Sequence, residues 1–435
     1  MLLPAKLERL AAKNTQAQAE IRARFFCEST DGGLSYPAGH VVSRQARPHH
    51  PSIKAQAMDS SRCTRSQQRM KSLKYYEKNR HATWLELFFD LIFVVTIGKV
   101  THTLGHLHQG HYEREQLWSF LLLFVPLWWI WSSHTIYSNR FDTDGNLHRL
   151  STLFIMLLLI VLSARIGETL EVYYPLVITC YVGIRAIISI MYISTINTVD
   201  DRSEFASRLG FALLVSSAIS LSSIIFDPPM RYLVAYIGIF LDILLPVFSW
   251  SKAKPLPAHT EHLVERLGLL TLILLGESVI SLSGGLSDIQ WNLYNVMAAI
   301  TGFIMICSIW WIYFDSFYLL SKNESSMSGH SLIYSHLFLF LGLALLANLI
   351  RHAILNDIAI HDFQIVSVIG MILFFLGKQY GYFIAVPKIR KYILQNTLIV
   401  FSLGGLAIFL PRVEYILIGL TLTMISYVLL NFRYR

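Results

Sequence analysis

The chain has 435 residues, of which 54% are hydrophobic and only 15% charged, and its formal net charge is +8. A soluble domain carries about 25% charged residues, so lipid is the expected solvent for most of this chain. The short alternating segments of a β-barrel are absent, and four scattered cysteines (Cys27, Cys63, Cys180, Cys307) make no disulfide framework.

Residues 1–80 are polar, basic and rich in Ser, Gln and Arg, with no apolar core of a signal peptide. They read as a mostly disordered cytoplasmic region with a short helix near Leu2–Phe25, and Met70 opens a shorter alternative start. From Trp84 onward, apolar runs of about 20 residues recur, the length that crosses a bilayer as a helix. They fall near 84–105, 117–138, 149–170, 173–195, 209–226, 231–250, 262–283, 292–320, 331–351, 363–385, 395–411 and 413–431. The fold class is therefore all-α, a polytopic transmembrane helix bundle of about twelve spans. Trp84, Trp118, Trp250 and Trp291 mark span ends, as an aromatic belt requires.

Loops after even-numbered spans carry Arg140, Arg202, Lys252, Lys254, Lys322, Lys388, Arg390 and Lys391, while those after odd-numbered spans carry few bases. The positive-inside rule places both termini in the cytoplasm. The positive charge is thus positional, and no nucleic-acid partner is implied. A weak repeat at an offset of about 180 residues pairs Trp128-Trp129-Ile130-Trp131 with Trp310-Trp311-Ile312-Tyr313, Glu86 with Glu265, and His148 with His330. It predicts two tandem six-span halves of the same orientation, 81–255 and 256–435.

Charges inside spans cost about 2.5–3.5 kcal/mol each at a helix centre, so they should face the bundle interior and pair or meet water. The acids are Glu86, Asp90, Asp242, Glu265, Glu277 and Asp315; the bases are Lys99, Arg165, Arg185, Arg266, Arg351 and Lys378. Glu86 and Asp90 share one face of the first helix. Buried together they need a cation or a shared proton between them, or else an arginine or helix terminus for each. Glu277 is expected near mid-bilayer, with Gly276 beside it permitting close helix contact and Lys99, Arg165, Arg185 or Lys378 as its partner if the role is structural. His262 and Glu265 suit capping or a salt bridge with Arg266. His102 and His106 share a helix face and are weak metal candidates, while Arg140 is expected to pair with Asp142 or Asp144. No cofactor, phosphate-binding or hydrolase motif occurs, so no catalytic residue and no enzyme activity are expected.

Four segments together resemble the low temperature requirement protein A (LtrA) family. They are Ala82-Thr-Trp-Leu-Glu-Leu-Phe-Phe-Asp-Leu-Ile-Phe-Val, Asn139-Arg-Phe-Asp-Thr-Asp, His262-Leu-Val-Glu-Arg-Leu-Gly through Leu275-Gly-Glu-Ser, and Trp310-Trp-Ile-Tyr-Phe-Asp. The resemblance covers roughly residues 80 to 430 and marks Glu86, Asp90, Arg140, Asp142, Glu265, Arg266, Gly276 and Glu277 as characteristic positions. Lys99 departs from the uncharged polar residue usual there. The family implies a multi-pass bacterial membrane protein linked to growth at low temperature, with no assigned reaction. A looser likeness to potassium channels of two six-span repeats rests on Phe88-Phe89-Asp90 alone. The expectation is a proton- or cation-linked transporter or channel-like protein, with Glu86, Asp90, Glu265 and Glu277 as binding candidates for a proton, cation or small-molecule substrate. The alternatives are a non-transporting membrane scaffold or stress-adaptation factor and, more distantly, an intramembrane enzyme acting on lipids.

Overall fold

The computed structural model describes residues 80–141, 145–167, 170–194, 201–248, 259–287, 289, 291–315 and 329–432. The N-terminal region with Cys27, Cys63 and Met70, together with Asp142, Asp144, Trp250, Lys252, Lys254 and Lys322, lies outside these residues.

Twelve long helices follow in order: α1 Trp84–His102, α2 Arg114–Phe141, α3 Asn146–Ser163, α4 Leu170–Ile193, α5 Asp201–Ser222, α6 Met230–Phe248, α7 Thr260–Ser287, α8 Leu293–Phe314, α9 Gly329–Leu355, α10 Ile360–Ala385, α11 Arg390–Ile408 and α12 Val413–Phe432. Each coincides with a predicted span. Eleven are long and apolar enough to cross a membrane; α6, of 19 residues, is the twelfth helix. An isolated β-type bridge joins His108 and His111.

Two boundaries differ from expectation for local reasons. Helix α3 ends at Ser163 and a turn follows through Gly167, whose φ of +103° suits glycine. Arg165 therefore sits in the turn, exposed, with its guanidinium 4.6 Å from the Tyr173 ring centroid, and is not a charge inside a span. Helix α8 stops at Phe314 with Asp315 as its C-cap, so the long eighth span is shorter than predicted.

The outer surface is what lipid requires. On α3, Leu150, Phe154 and Leu157, at helical spacing, are half-exposed or more, while Thr152, Ile155, Met156 and Leu159 face inward. A patch of that kind on a water-soluble protein would be a liability. Trp84, Trp118 and Trp291 stand exposed at helix ends. Hydroxyls, amides and charges collect inside, where α9 is buried along almost its whole length. Glycines set its spacing from α10: a Cβ on Gly377 would meet the backbone of Leu339 and lie 2.6 Å from the Ser335 carbonyl oxygen.

Four helix pairings recur six helices on, while the close α8–α12 pairing has no equally close counterpart between α2 and α6. The pairs α1–α3, α3–α4, α4–α5 and α5–α6 recur as α7–α9, α9–α10, α10–α11 and α11–α12. Helices α1 and α7 lie side by side and parallel, residue 90 beside 266 and residue 98 beside 277. The tryptophan echo is not matched in environment, because Trp128 and Trp129 are fully buried whereas Trp310 and Trp311 are nearly half-exposed.

Candidate functional site

The α1–α7 seam holds two acidic positions of opposite character. At the near end, where α1 begins, Thr83 and Glu86 form a capping box. The Thr83 hydroxyl accepts from the Glu86 amide, and Glu86 Oε2 accepts from the Thr83 amide at 2.9 Å. One turn on, Asp90 lies on the same face. Across the seam Arg266 of α7 reaches between them. Its Nη1 is 3.0 Å from Glu86 Oε1, its Nη2 donates to Asp90 Oδ1 at 2.5 Å, and its Nε donates to Asp90 Oδ2 at 3.1 Å. Trp131 Nε1 of α2 completes Asp90 with a donated bond of 2.7 Å.

A second layer fixes the first. The His259 amide donates to Asn139 Oδ1 at 2.8 Å, which orients that side-chain amide. Asn139 Nδ2 then donates to His262 Nδ1 at 3.0 Å, leaving the proton of that imidazole on Nε2, which faces Glu86 Oε2 at 3.3 Å. Arg80, ahead of α1, donates to the Ser138 and Asn139 carbonyls and approaches Glu86 Oε1 at 3.6 Å. Two carboxylates thus face two guanidiniums, and all four groups are buried. Of the two sequence alternatives for Glu86 and Asp90, the structure displays the arginine between them.

At the far end, Glu277 lies level with Gly98 and His102 in the last turns of α1. Its carboxyl lies over Gly98, where a Cβ would stand 2.9 Å from Cδ and Oε2. His102 Nε2 is 3.2 Å from Glu277 Oε1 but is not aligned for a hydrogen bond, and Oε1 has no hydrogen-bond partner. The side chain keeps 13% of its surface exposed. Glycine makes room for this carboxyl, but it is Gly98: a Cβ on Gly276 would touch nothing within 4 Å.

A third charged group lies within the first half. Arg185 of α4 donates through Nη2 to Asp242 of α6 at 2.6 Å and through Nη1 to the Ser133 hydroxyl of α2, all fully buried. In the second half, buried Lys378 of α10 lies 4.2 Å from the Tyr382 ring centroid.

Other candidates fall elsewhere. Lys99 points out of the bundle and does not reach Glu277. Glu265 turns away from Arg266 toward His81, at 3.4 Å on an exposed edge, so it neither joins the buried cluster nor pairs as predicted. His106 lies beyond the end of α1, after a short 3₁₀ turn, so it does not share a helix face with His102. No group of three or more His, Cys, Asp or Glu among the described residues is placed to hold a metal. Arg140 is buried at the end of α2; its expected partners Asp142 and Asp144 lie outside the described residues. Sequence reading missed three contributors to the near-end network: Arg80, Asn139 as the orienter of His262, and Trp131 as a donor to Asp90. Only the polar character of Arg80 and Asn139 beside long apolar runs hinted at them.

Twelve apolar-coated helices around an interior of paired charges define a multi-pass helical membrane protein. The model of the bacterial low temperature requirement A protein (LtrA) family matches residues 81–430, and the chain belongs to that family. It is similar to an uncharacterised protein of Rhizobium meliloti (strain 1021), 23% identical over 316 residues, covering 69% of this chain and 76% of the relative. No solved structure matches.

Proposed function

We infer that this protein is a proton- or cation-linked membrane transporter, and that Glu277 is the carboxylate that takes up and releases the ion. One contrast carries the reading. The other carboxylates deep in the described spans, Glu86, Asp90 and Asp242, are each held by an arginine. Glu277 meets a histidine, and no arginine or lysine among the described residues lies within 4 Å of its carboxylate. A buried carboxylate in that condition gains by accepting a proton or a cation, whereas one clamped by a guanidinium does not. The parallel α1–α7 seam then joins a fixed end to an exchangeable end, and tandem halves of the same orientation would move about it. The reading places the chain in a bacterial inner membrane with both termini cytoplasmic and assigns it no catalysis.

The test is flux into proteoliposomes under an imposed pH or cation gradient. Glu277→Gln keeps the shape and removes the charge, so flux is expected to fall to the level of empty vesicles while the thermal melt stays within about 1 kcal/mol of wild type. Flux equal to wild type would remove Glu277 from the mechanism. A second reading, a non-transporting scaffold, is favoured by the arginine pairing of Glu86 and Asp90; it predicts no gradient-driven flux in the wild-type protein.

A further inference from the structure

At the far end of the seam, the connection between α1 and α2 folds over the last turn of α9. It opens with the 3₁₀ turn Thr103–Gly105 and closes in a hairpin whose central residues, Gln109 and Gly110, have φ of 51° and 85°. The hairpin tip is tied to the second half of the chain. The Ala359 amide donates to the Gly110 carbonyl at 2.8 Å, the Tyr112 amide to Asp362 of α10 at 3.0 Å, and the Tyr112 hydroxyl to Asn348 of α9 at 2.6 Å. The 3₁₀ turn is held by different chemistry: Leu104 is fully buried, and its carbonyl lies 3.0 Å from His352 Nε2.

His352 has a second oxygen on its other side. Helix α9 ends at Leu355, and Asn356, with φ of 51°, takes the left-handed turn that brings Asp357 back toward the helix. Asp357 Oδ1 is 2.7 Å from His352 Nδ1. Both nitrogens of a fully buried imidazole therefore face oxygens, one a main-chain carbonyl that can only accept and the other a carboxylate. A neutral imidazole has one N–H. The two bonds need a second proton, on the ring or on the carboxyl. The other charged groups nearby are engaged elsewhere. Asp362 holds Tyr112 and lies 3.3 Å from His111, His108 is 3.8 Å from Glu113, and Glu277 of α7 faces His102. Arg351 of α9 lies beneath Gly105, where a Cβ would stand 3.4 Å from its Nε.

We propose that His352 and Asp357 form a proton-operated latch on the α1–α2 connection. With the extra proton in place, the turn Thr103–Gly105 is held down over Arg351 and the far end of the seam. Without it only one of the two bonds survives. A hydrogen bond to a carboxylate is about twice as strong as one between neutral groups, so the remaining N–H stays on Nδ1 with Asp357. Nε2 then presents a lone pair to the Leu104 carbonyl, and the turn lets go. The tip bonds at Gly110 and Tyr112 need no titrating proton and act as the hinge. Raising the pH on this side therefore loosens the turn. Its effect on transport rests on the Glu277 reading, since the turn follows directly on His102, but the latch itself does not.

The test is the spin-label spectrum of full-length protein carrying His106→Cys on the connection, with the four native cysteines changed to serine, titrated from about pH 5 to about pH 9, across the range in which imidazoles ordinarily change charge. An immobilised spectrum at low pH that gives way to a mobile one at high pH is expected. Asp357→Asn separates a switch from a mere structural contact. Its amide can donate to Nδ1 while the single ring proton sits on Nε2 and reaches Leu104, so the spectrum should stay immobilised at every pH. His352→Phe should be mobile throughout. Glu277→Gln should titrate like wild type, whether or not it carries flux, which keeps the latch separate from the transport reading. A wild-type spectrum that does not change with pH would overturn the proposal. So would an Asp357→Asn protein that still titrates, which would assign the change to His111 and Asp362, or a Glu277→Gln protein that no longer does.

Discussion

The two ends of the α1–α7 seam treat a buried carboxylate in opposite ways. Near the start of α1, Glu86 and Asp90 are surrounded by donors from α2, α7 and the segment before α1. Near its end, Glu277 leans on a glycine and a histidine. The difference teaches that burial alone does not mark an ion-exchange position. Partner type does, because a guanidinium stays charged at any working pH and an imidazole does not.

The comparison breaks most severely at Arg266. Arg266→Ala strands two buried carboxylates, and removing one partner of a buried ion pair costs about 3–5 kcal/mol; the expected outcome is loss of folded protein from detergent-solubilised membranes, read by size exclusion and melting. A wild-type melt would show that the network is not structural. Next in size is Gly377→Ala, where the added methyl must push α9 and α10 apart at a cost of about 1–3 kcal/mol. It serves as the packing reference, lowering Tm without touching any charge. Gly98→Ala sharpens the far end. The new Cβ displaces only the tip of a flexible side chain, so stability should fall by about 1 kcal/mol or less, while flux should drop as far as in Glu277→Gln. Flux unaffected by Gly98→Ala would mean that the position of the carboxyl is immaterial. The smallest effect is expected at Arg165→Ala, which removes an exposed cation–π contact and should change the melt by about 0.5 kcal/mol.

Helices were legible because the 20-residue apolar run is a direct imprint of bilayer thickness; all twelve fall where the hydropathy places them. The presence of internal ion pairs was legible too, from the near balance of acids and bases within spans. Which acid meets which base was not. Glu265 and Arg266 are adjacent in sequence yet point apart, because successive helical residues are turned by about 100° and only one can face α1. Lys99 and Gly98 show the same rule: one points outward, the other supports Glu277. The role of Arg80 was hard to see because its hydrogen bonds to Ser138 and Asn139 go to main-chain carbonyls, which leave no trace in side-chain patterning.

That role has a practical consequence. The Arg80 guanidinium caps carbonyls at the C-terminal end of α2, groups that have no partner within their own helix. Trimming the chain for expression must therefore stop short of Arg80, since cutting at Trp84, where the first helix begins, would unfasten the end of the second.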